Sequence, residues 1–248
     1  MKTLNLVIDI GNTLTKIALF KDDEIFELSS VYSSYGEQII ETANRMKQSH
    51  AVKASIISSV SNNDHAIVDF FRNNFKKSID FTQSTPVPII NLYGSPETLG
   101  KDRLAGVVAA NSLFKNQNVL VFDAGTALTI DFINASGEYL GGNISPGLEM
   151  RFNALNRYTK NLPLLSADKE TNNLFGRSTR TAIINGVQNG ILYEIKEYIL
   201  RFRKKYPDLK IIFTGGDTFF FENRIKNKIF ADPNLVLKGL NIILNYNE

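Results

Sequence analysis

The sequence has no cysteine and no tryptophan, and it has only two histidines, His50 and His65, among 248 residues. The lack of cysteine excludes disulfides, thiolate zinc sites, iron–sulfur clusters and a cysteine nucleophile. Two histidines are too few for a metal centre built on imidazoles. Any chemistry must therefore use carboxylates, hydroxyls, backbone amides, lysine and arginine.

Long apolar runs are also missing. No stretch approaches the ~18 apolar residues that a membrane span needs, and the first five residues lead directly into a strand-like segment without a signal-peptide core. We therefore expect a cytoplasmic protein with no membrane partner. The net charge of +3 is weak support for polyanion binding. The densest basic run, residues 201–205, is typical of a solvated helix C-terminus, so we expect no nucleic-acid partner.

The clearest feature that the sequence does have is an internal repeat. Residues 5–20 and 119–133 each contain an apolar strand that ends in Asp-x-Gly, then a threonine and a second apolar strand. The two aspartates, Asp9 and Asp123, lie about half a chain apart. A duplication fixes the architecture more firmly than any local pattern does. We predict two similar α/β domains, 1–115 and 116–248, whose Asp-x-Gly turns face a shared cleft.

The segment from Asp9 to Thr13 has the composition of a phosphate-binding turn. Glycine lets the backbone approach a phosphate, asparagine, threonine and backbone amides donate hydrogen bonds, and the aspartate holds a cation or its water. A polar β-hairpin is the alternative, and a single copy would favour it. The second copy at Asp123 favours phosphate binding instead. The P-loop and the G-x-G-x-x-G pattern are both absent from the sequence.

A third glycine-rich turn, Thr214-Gly215-Gly216-Asp217, follows an apolar strand. Two glycines leave bare backbone, against which a flat nucleobase or ribose can lie. A plain strand-to-helix turn is the alternative interpretation.

These three turns resemble the two phosphate motifs and the adenosine motif of the actin, hexokinase and Hsp70-like ATPase superfamily. Its fold consists of two duplicated ribonuclease H-like domains that clamp ATP. Within it, the chain resembles type III pantothenate kinase over essentially its whole length, most specifically in Gly-Lys-Asp-Arg at 100–103. The other similar segments are Tyr93–Leu99, Gly141–Gly147, Thr179–Ile183 and Leu235–Leu240. Thr218 and the run Phe219–Phe221 depart from the pattern and leave the nucleobase contact open.

The resemblance implies ATP-dependent phosphorylation of the terminal hydroxyl of pantothenate to 4'-phosphopantothenate, the first step of coenzyme A synthesis. It implies ATP, Mg²⁺ and a monovalent cation (K⁺ or NH4⁺) as cofactors, and a homodimer. The implied ATP-binding residues are Asp9, Ile10, Gly11, Asn12, Thr13, Leu14, Thr15, Lys16, Thr126, Gly215 and Gly216. The implied substrate-binding residues are Tyr93, Gly100, Lys101, Asp102, Arg103 and Thr179.

The family pattern makes Asp102 the general base. Phosphoryl transfer needs positioning, charge neutralisation and one group that accepts the hydroxyl proton, so the chemistry agrees, although a carboxylate at a helix start also stabilises the helix dipole. Arg103 would hold the pantothenate carboxylate in a two-pronged contact, with surface pairing to Glu97 as the alternative. Tyr93 would cover the substrate or be an ordinary strand aromatic, and Thr179 would donate to the substrate or cap a helix.

For the cofactors, the resemblance assigns Asp123 to the monovalent cation and Thr126 to ATP. Asp9 would orient Mg²⁺–ATP through water, because Mg²⁺ gives up its hydration shell reluctantly. Lys16 would reach a phosphate, with a solvated hairpin lysine as the alternative. The small residues from Ala105 to Ala110 and the long helix after Ser178 lend weak support to the dimer.

Two other functions stay open. One is another small-molecule kinase of the superfamily, such as a sugar kinase, which the Gly-x-Asp-Arg element and the short chain argue against. The other is a non-catalytic nucleotide-binding regulator related to transcription accessory factors. The retained Asp9, Asp102 and Asp123, and the lack of a helix-turn-helix or a basic stripe, argue against that regulator.

Overall fold

The structure, a computed structural model, describes residues 3–59, 65–171, 173–222, 224–225 and 229–248. It divides into two compact units. The first unit comprises Met1–Leu113 and Asn234–Glu248, and the second comprises Phe114–Pro233. The C-terminal segment therefore belongs to the first unit, whereas the sequence-based division assigned it to the second half.

The first unit is a mixed sheet with helices. Its strands are β1 (Leu4–Ile10), β2 (Leu14–Lys21), β3 (Glu24–Tyr32), β4 (Val52–Ser59), β5 (Ser78–Asp80) and β6 (Ile90–Asn91). Its helices are α1 (Gly36–Ser49), α2 (His65–Asn74), α3 (Lys101–Leu113) and α7 (Leu235–Tyr246), with a 3-10 turn at Pro96–Thr98. Five of the strands form a sheet in the order β3-β2-β1-β4-β5. Neighbours among β1, β2 and β3 are antiparallel, whereas β4 is parallel to β1 and to β5.

The core of the first unit follows from its apolar pattern. Strand β1 is buried along almost its whole length because the sheet continues on both sides of it and helices cover it. Helix α1 turns Ile39, Ala43 and Met46, which recur at helical spacing in the sequence, towards this core.

The second unit repeats this arrangement. Its strands are β7 (Val119–Ala124), β8 (Ala127–Ile133), β9 (Glu138–Pro146), β10 (Lys210–Thr214) and β11 (Phe230–Ala231). Its helices are α4 (Leu148–Tyr158), α5 (Thr179–Lys205) and α6 (Thr218–Glu222). The strands run in the order β11-β10-β7-β8-β9, with β7, β8 and β9 antiparallel and β10 parallel to β7 and β11. Strand order and directions match those of the first unit, as a duplication requires.

The polar stretch 160–175, which the sequence predicts to be a mobile loop, has neither helix nor strand in its described part. Side chains from α5 hold its backbone. The carboxamide of Gln188 accepts a hydrogen bond from the Asp168 amide (2.7 Å) and donates to the Thr171 carbonyl (2.9 Å). The segment is therefore tied to α5, and its mobility stays a prediction.

In the part of the chain that the structure describes, no helix is both long enough and apolar enough to cross a membrane.

Candidate functional site

The first Asp-x-Gly turn joins β1 to β2. Asp9 lies near the end of β1, directly opposite Lys16 on the antiparallel strand β2. The Gly11 amide donates to the Leu14 carbonyl (3.1 Å) and closes the turn, and the Ser33 amide donates to the Thr13 carbonyl (3.0 Å). The turn is thus held by backbone hydrogen bonds, and the side chains of residues 12 and 13 are exposed.

Asp9 has an environment that favours a cation. One of its carboxylate oxygens, Oδ1, is buried without a hydrogen-bond partner among the described residues. Burial, with a smaller contribution from the negative charge of Asp102, raises the pKa of Asp9 to about 7, while Lys16 acts in the opposite direction. Burial disfavours the charged form of a carboxylate unless a positive charge compensates it. The ionised form of Asp9 is therefore suited to a bound cation.

Asp102 and Arg103 lie in the first turn of α3. The Oδ1 atom of Asp102 accepts a hydrogen bond from the Arg103 amide (2.8 Å). Arg103 is only 7% exposed, and its guanidinium carbon lies 5.5 Å from the centre of the Tyr93 ring. A buried guanidinium held against an aromatic ring is pre-organised to bind a planar anion such as a carboxylate.

The other predicted binding residues of the first unit differ in how far they are buried. Ile10 is buried in the core, and Thr15 is buried with its hydroxyl 3.0 Å from that of Ser33. Any contact of these two residues with a nucleotide would have to come through their backbone. Leu14 is exposed, and the neighbours of Asp102, Gly100 and Lys101, are half-buried.

The second Asp-x-Gly turn, between β7 and β8, is built in the same way. The Gly125 amide donates to the Ala127 carbonyl (3.1 Å), and Thr126 is exposed at the tip. Asp123 lies directly opposite Thr129 on the antiparallel strand. The Thr129 hydroxyl oxygen is buried and has no hydrogen-bond partner among the described residues. A buried, unsatisfied hydroxyl of this kind calls for an explanation such as an ion or a water.

The two glycines after β10 have different environments. Gly215 has a φ of +91°, and a Cβ atom there would lie 2.5 Å from the backbone of Ala124 and from Oδ1 of Asp123. This residue must be glycine both for its left-handed conformation and for its close approach to β7. A Cβ at Gly216 would meet no atom within 4 Å. Only Gly216 therefore offers the open backbone surface that the sequence pattern suggested for both glycines.

The residues that depart from the family pattern form α6. Phe220 and Phe221 are buried in the core, and the Thr218 hydroxyl donates to the Gly215 carbonyl (2.8 Å), so these three residues stabilise the fold locally. Phe219 is 65% exposed. The phenylalanine run therefore supplies core contacts and one exposed ring.

Sequence reasoning did not identify Glu149 or Asn234 as relevant to these turns. Burial, together with the charge of Glu149, raises the pKa of Asp217, so two acidic groups lie near the glycine-rich turn. The side-chain oxygen of Asn234 accepts a hydrogen bond from Lys16 (3.5 Å). No motif signals either residue, because both are distant in sequence from the groups that they affect.

Thr179 is the first residue of α5, and its side chain is exposed. The helix is capped by Ser178, whose hydroxyl accepts from the Thr181 amide (3.2 Å), while the Thr181 hydroxyl accepts from the Ser178 amide (3.0 Å). The capping role that the sequence left open for Thr179 thus belongs to its neighbours.

Within the first unit, these groups suit phosphoryl chemistry. The charges of Asp102 and Lys16 both act on Asp9. Among the residues described, no three His, Asp or Glu side chains form a group that could hold a metal ion by themselves. A divalent cation at Asp9 would therefore need further ligands, such as water and the phosphates of a nucleotide.

Comparison with known families gives a direct match. The family model of type III pantothenate kinase matches residues 5–201. Curated type III pantothenate kinases of Bacteroides fragilis and Phocaeicola vulgatus are 44% and 46% identical to this chain over 245 residues, and each alignment covers 99% of both chains. The type III pantothenate kinase of Christiangramia forsetii is 42% identical over 248 residues, with 99% of both chains covered.

Solved structures with low sequence identity share the fold. A Campylobacter jejuni protein assigned to the Baf family of transcriptional activators is 22% identical, with a TM-score of 0.61 and 98% of both chains covered. A glucokinase from an Antarctic psychrotroph is 12% identical, with a TM-score of 0.58 and coverage of 99% of this chain and 100% of that one. These similarities, together with the repeated strand order, identify the duplicated ribonuclease H-like fold of the sugar kinase and actin-like ATPases, as the sequence predicted.

Proposed function

Because the chain belongs to the type III pantothenate kinase family, we propose that it transfers the γ-phosphoryl group of ATP to the terminal hydroxyl of pantothenate. The hydroxyl oxygen forms a bond to the γ-phosphorus, and the bond from that phosphorus to the β–γ bridging oxygen breaks. Asp102 accepts the hydroxyl proton. The products are 4'-phosphopantothenate and ADP, and the reaction is the first step of coenzyme A synthesis.

The match to the type III pantothenate kinase family carries this proposal, and the placement of Asp102 supports it. The charge of Asp102 raises the pKa of Asp9, so a candidate base lies within electrostatic range of the turn that would handle the phosphates. Asp102 also lies next to a buried arginine. A base, a phosphate turn and an anion-binding cation are the parts that phosphoryl transfer to a carboxylate-bearing alcohol requires.

ATP would contact the turn around Gly11 through backbone amides, with Asn12, Thr13 and Lys16 as side-chain donors. The buried, unsatisfied oxygen of Asp9 fits a role in holding Mg²⁺ or one of its waters. When bound with ATP, Mg²⁺ would neutralise phosphate charge. In the second unit, the exposed Thr126 and the open backbone at Gly216 are the candidates for a nucleotide contact.

Pantothenate would be held by its carboxylate on Arg103, with the Tyr93 ring against the guanidinium. Two parallel N–H donors of arginine match the two oxygens of a carboxylate. The backbone at Gly100 and Lys101 and the exposed hydroxyl of Thr179 are further candidates for substrate contact.

Asp123 would bind a monovalent cation, K⁺ or NH4⁺. A carboxylate and the buried, unsatisfied hydroxyl of Thr129 opposite it form an all-oxygen donor set of the kind that such cations accept. A bound cation would add positive charge at this turn.

We further propose a cytoplasmic homodimer. Large apolar side chains are exposed on the second unit, notably Ile144, Tyr158, Leu174 and Phe175, and exposed apolar surface is typical of an interface. The small residues of α3 no longer support a dimer, because they are buried and Ala105 packs against α7 of the same chain.

The proposal is tested by incubating the purified protein with ATP, Mg²⁺, K⁺ and either pantothenate or a hexose, and by measuring ADP release and product mass. We expect phosphorylation of pantothenate alone. The Asp102→Asn variant should lower kcat by about 100-fold or more, because it removes the proton acceptor, while ATP binding measured by calorimetry stays within about two-fold.

Glu97→Gln is the matched control, because it removes an exposed carboxylate from the 3-10 turn that precedes α3. Its kcat should stay near that of the wild type. Phosphorylation of a hexose but not pantothenate would contradict the substrate, and ATP binding without turnover would favour a regulator. Near-normal turnover of Asp102→Asn would remove Asp102 from the mechanism.

A further inference from the structure

The C-terminal helix α7 contacts the elements that carry the three charged groups of the candidate site in the first unit. Asp9 is on β1, Lys16 is on β2, and Asp102 is on α3. Helix α7 packs against all three elements. It is separated from them by more than 100 residues of sequence, so no local pattern predicts this contact.

Contacts on two sides fix α7 in place. Gly239 lies so close to α3 that a Cβ atom there would be 1.9 Å from the Ala105 carbonyl oxygen. At the other side, the buried carboxamide of Asn5 on β1 donates to the side chains of Asn241 (2.8 Å) and Asn245 (2.7 Å). The Asn241 side chain in turn donates to the Asp22 carbonyl in the β2–β3 turn (2.9 Å). Buried polar contacts of this kind specify one arrangement of the packed elements.

Asn234, the residue at the N-terminus of α7, bonds to a lysine of another element and not to its own helix. Asn234 occupies the N-cap position, where asparagine is among the most favoured residues because its side chain accepts from a backbone amide of the first turn. Here the Asn234 side chain makes no such capping hydrogen bond. Its oxygen accepts a hydrogen bond from the Lys16 ammonium instead, at 3.5 Å.

We propose that Asn234 is a positioning residue for Lys16, and that α7 thereby fixes the lysine that faces Asp9 at the first phosphate turn. A free lysine side chain has many rotamers, and ordering it when a ligand binds reduces affinity. An acceptor on a firmly packed helix restricts the ammonium before ATP arrives. The inference rests on the proposed role of Lys16 in contacting a phosphate of ATP.

The Asn234 side chain accepts a hydrogen bond from Lys16 and makes no capping hydrogen bond to α7. Truncating this side chain should therefore alter nucleotide binding more than folding. We expect Asn234→Ala to raise the KM for ATP about five-fold, through the added cost of ordering Lys16. The KM for pantothenate and the kcat should change by less than about two-fold, because the other substrate contacts are untouched. The midpoint of thermal unfolding should stay within about 2 °C, since no cap is lost.

A double-mutant cycle distinguishes positioning from a general effect. In the Lys16→Met background, Asn234→Ala should have almost no further effect on the KM for ATP. Asn234→Asp, which retains an acceptor oxygen, should keep a KM below that of the alanine variant. Asn234→Ser, a good cap with a shorter side chain, should behave like alanine.

An unchanged KM for ATP in Asn234→Ala would overturn the inference, and so would an equal rise in the wild-type and Lys16→Met backgrounds. A several-degree loss of thermal stability that serine restores would identify Asn234 as an ordinary cap. The wild-type assay is separate from these results. If wild-type protein fails to phosphorylate pantothenate, the proposed function fails, and direct calorimetric titration of ATP into the same variants still tests Asn234.

Discussion

The two Asp-x-Gly turns differ in the residue that lies directly opposite the aspartate. In the first unit Asp9 is paired with Lys16, and in the second unit Asp123 is paired with Thr129. Side chains of directly opposed residues in antiparallel strands lie on one face, with Cβ atoms about 4.5–5.5 Å apart. The first aspartate therefore has a lysine side chain as its cross-strand neighbour, and the second has the buried hydroxyl of a threonine.

The turns also differ in how they are supported. A Cβ atom at position 215 would lie 2.5 Å from Oδ1 of Asp123 and from the Ala124 backbone, whereas Asp9 is influenced by Asp102 and Lys16. The duplicated backbone thus provides the same type of turn twice, and its neighbours adapt each copy. In the first copy an oxygen of Asp9 is buried without a hydrogen-bond partner among the described residues, and in the second copy the hydroxyl of Thr129 is.

The largest effect on this comparison should come from Gly215→Ala, which would disrupt the support of the second turn. The added methyl would clash with backbone atoms of Ala124 at 2.5 Å, and the φ of +91° disfavours any side chain. Strain and overpacking together should lower the free energy of unfolding by about 2–5 kcal/mol. Chemical denaturation measures this loss.

Gly216→Ala is the matched control, since its Cβ would enter open space. It should change the free energy of unfolding by less than about 0.5 kcal/mol. If both variants lost the same stability, the close approach of Gly215 to β7 would not be what requires glycine in this turn.

A smaller effect is expected for Asp9→Asn, which sharpens the comparison at the first turn. Folding raises the pKa of Asp9 from 3.8 to about 7. At pH values below 3.8 the carboxyl is protonated in both the folded and the unfolded chain and has no net effect on the free energy of unfolding. As the pH rises through this interval, the unfolded chain ionises first, so the stability of the ligand-free protein falls until about pH 7 and then levels off.

An asparagine at position 9 does not ionise, so it avoids this loss of stability at high pH. Asp9→Asn should therefore stabilise the ligand-free protein at about pH 8 by at most about 4 kcal/mol, and the gain should nearly vanish near pH 4. Thermal unfolding at the two pH values measures it. Mg²⁺–ATP should reverse the order, because it stabilises the wild type more. A variant less stable than the wild type at about pH 8 would contradict the assigned environment of Asp9.

The sequence predicted the strands and turns of the repeat because apolar runs ending in Asp-x-Gly are local signals. It missed β3 because that strand, Glu24–Tyr32, alternates between exposed and half-buried residues and carries no apolar run. It also placed the C-terminal segment in the second half, whereas α7 packs within the first unit. Nothing local distinguishes a helix that returns to the first unit, since the determining contacts are those of Gly239 with Ala105 and of Asn241 with Asn5.

For the site, motifs predicted which residues would carry chemistry but not what surrounds them. The sequence pattern predicted that Gly215 and Gly216 both leave open backbone. In the structure Gly215 is needed for close packing, and only Gly216 leaves open space. The burial of Arg103 under Tyr93, the unsatisfied oxygen of Asp9 and the acceptor at Asn234 depend on packing between segments distant in sequence. Such properties arise only when the chain is folded.

The smallest expected effect concerns the cation at the second turn. If the oxygens of Asp123 and Thr129 hold K⁺ or NH4⁺ where the first turn has Lys16, exchange of K⁺ for Na⁺ should lower kcat about five-fold, since the smaller ion fits fixed oxygens poorly. Thr129→Val should weaken this discrimination, whereas Thr129→Ser, which keeps the hydroxyl, should retain it. Steady-state rates in KCl, NH4Cl and NaCl at constant ionic strength measure the effect. Equal rates in all three would show that the second turn needs no counterpart to the lysine of the first.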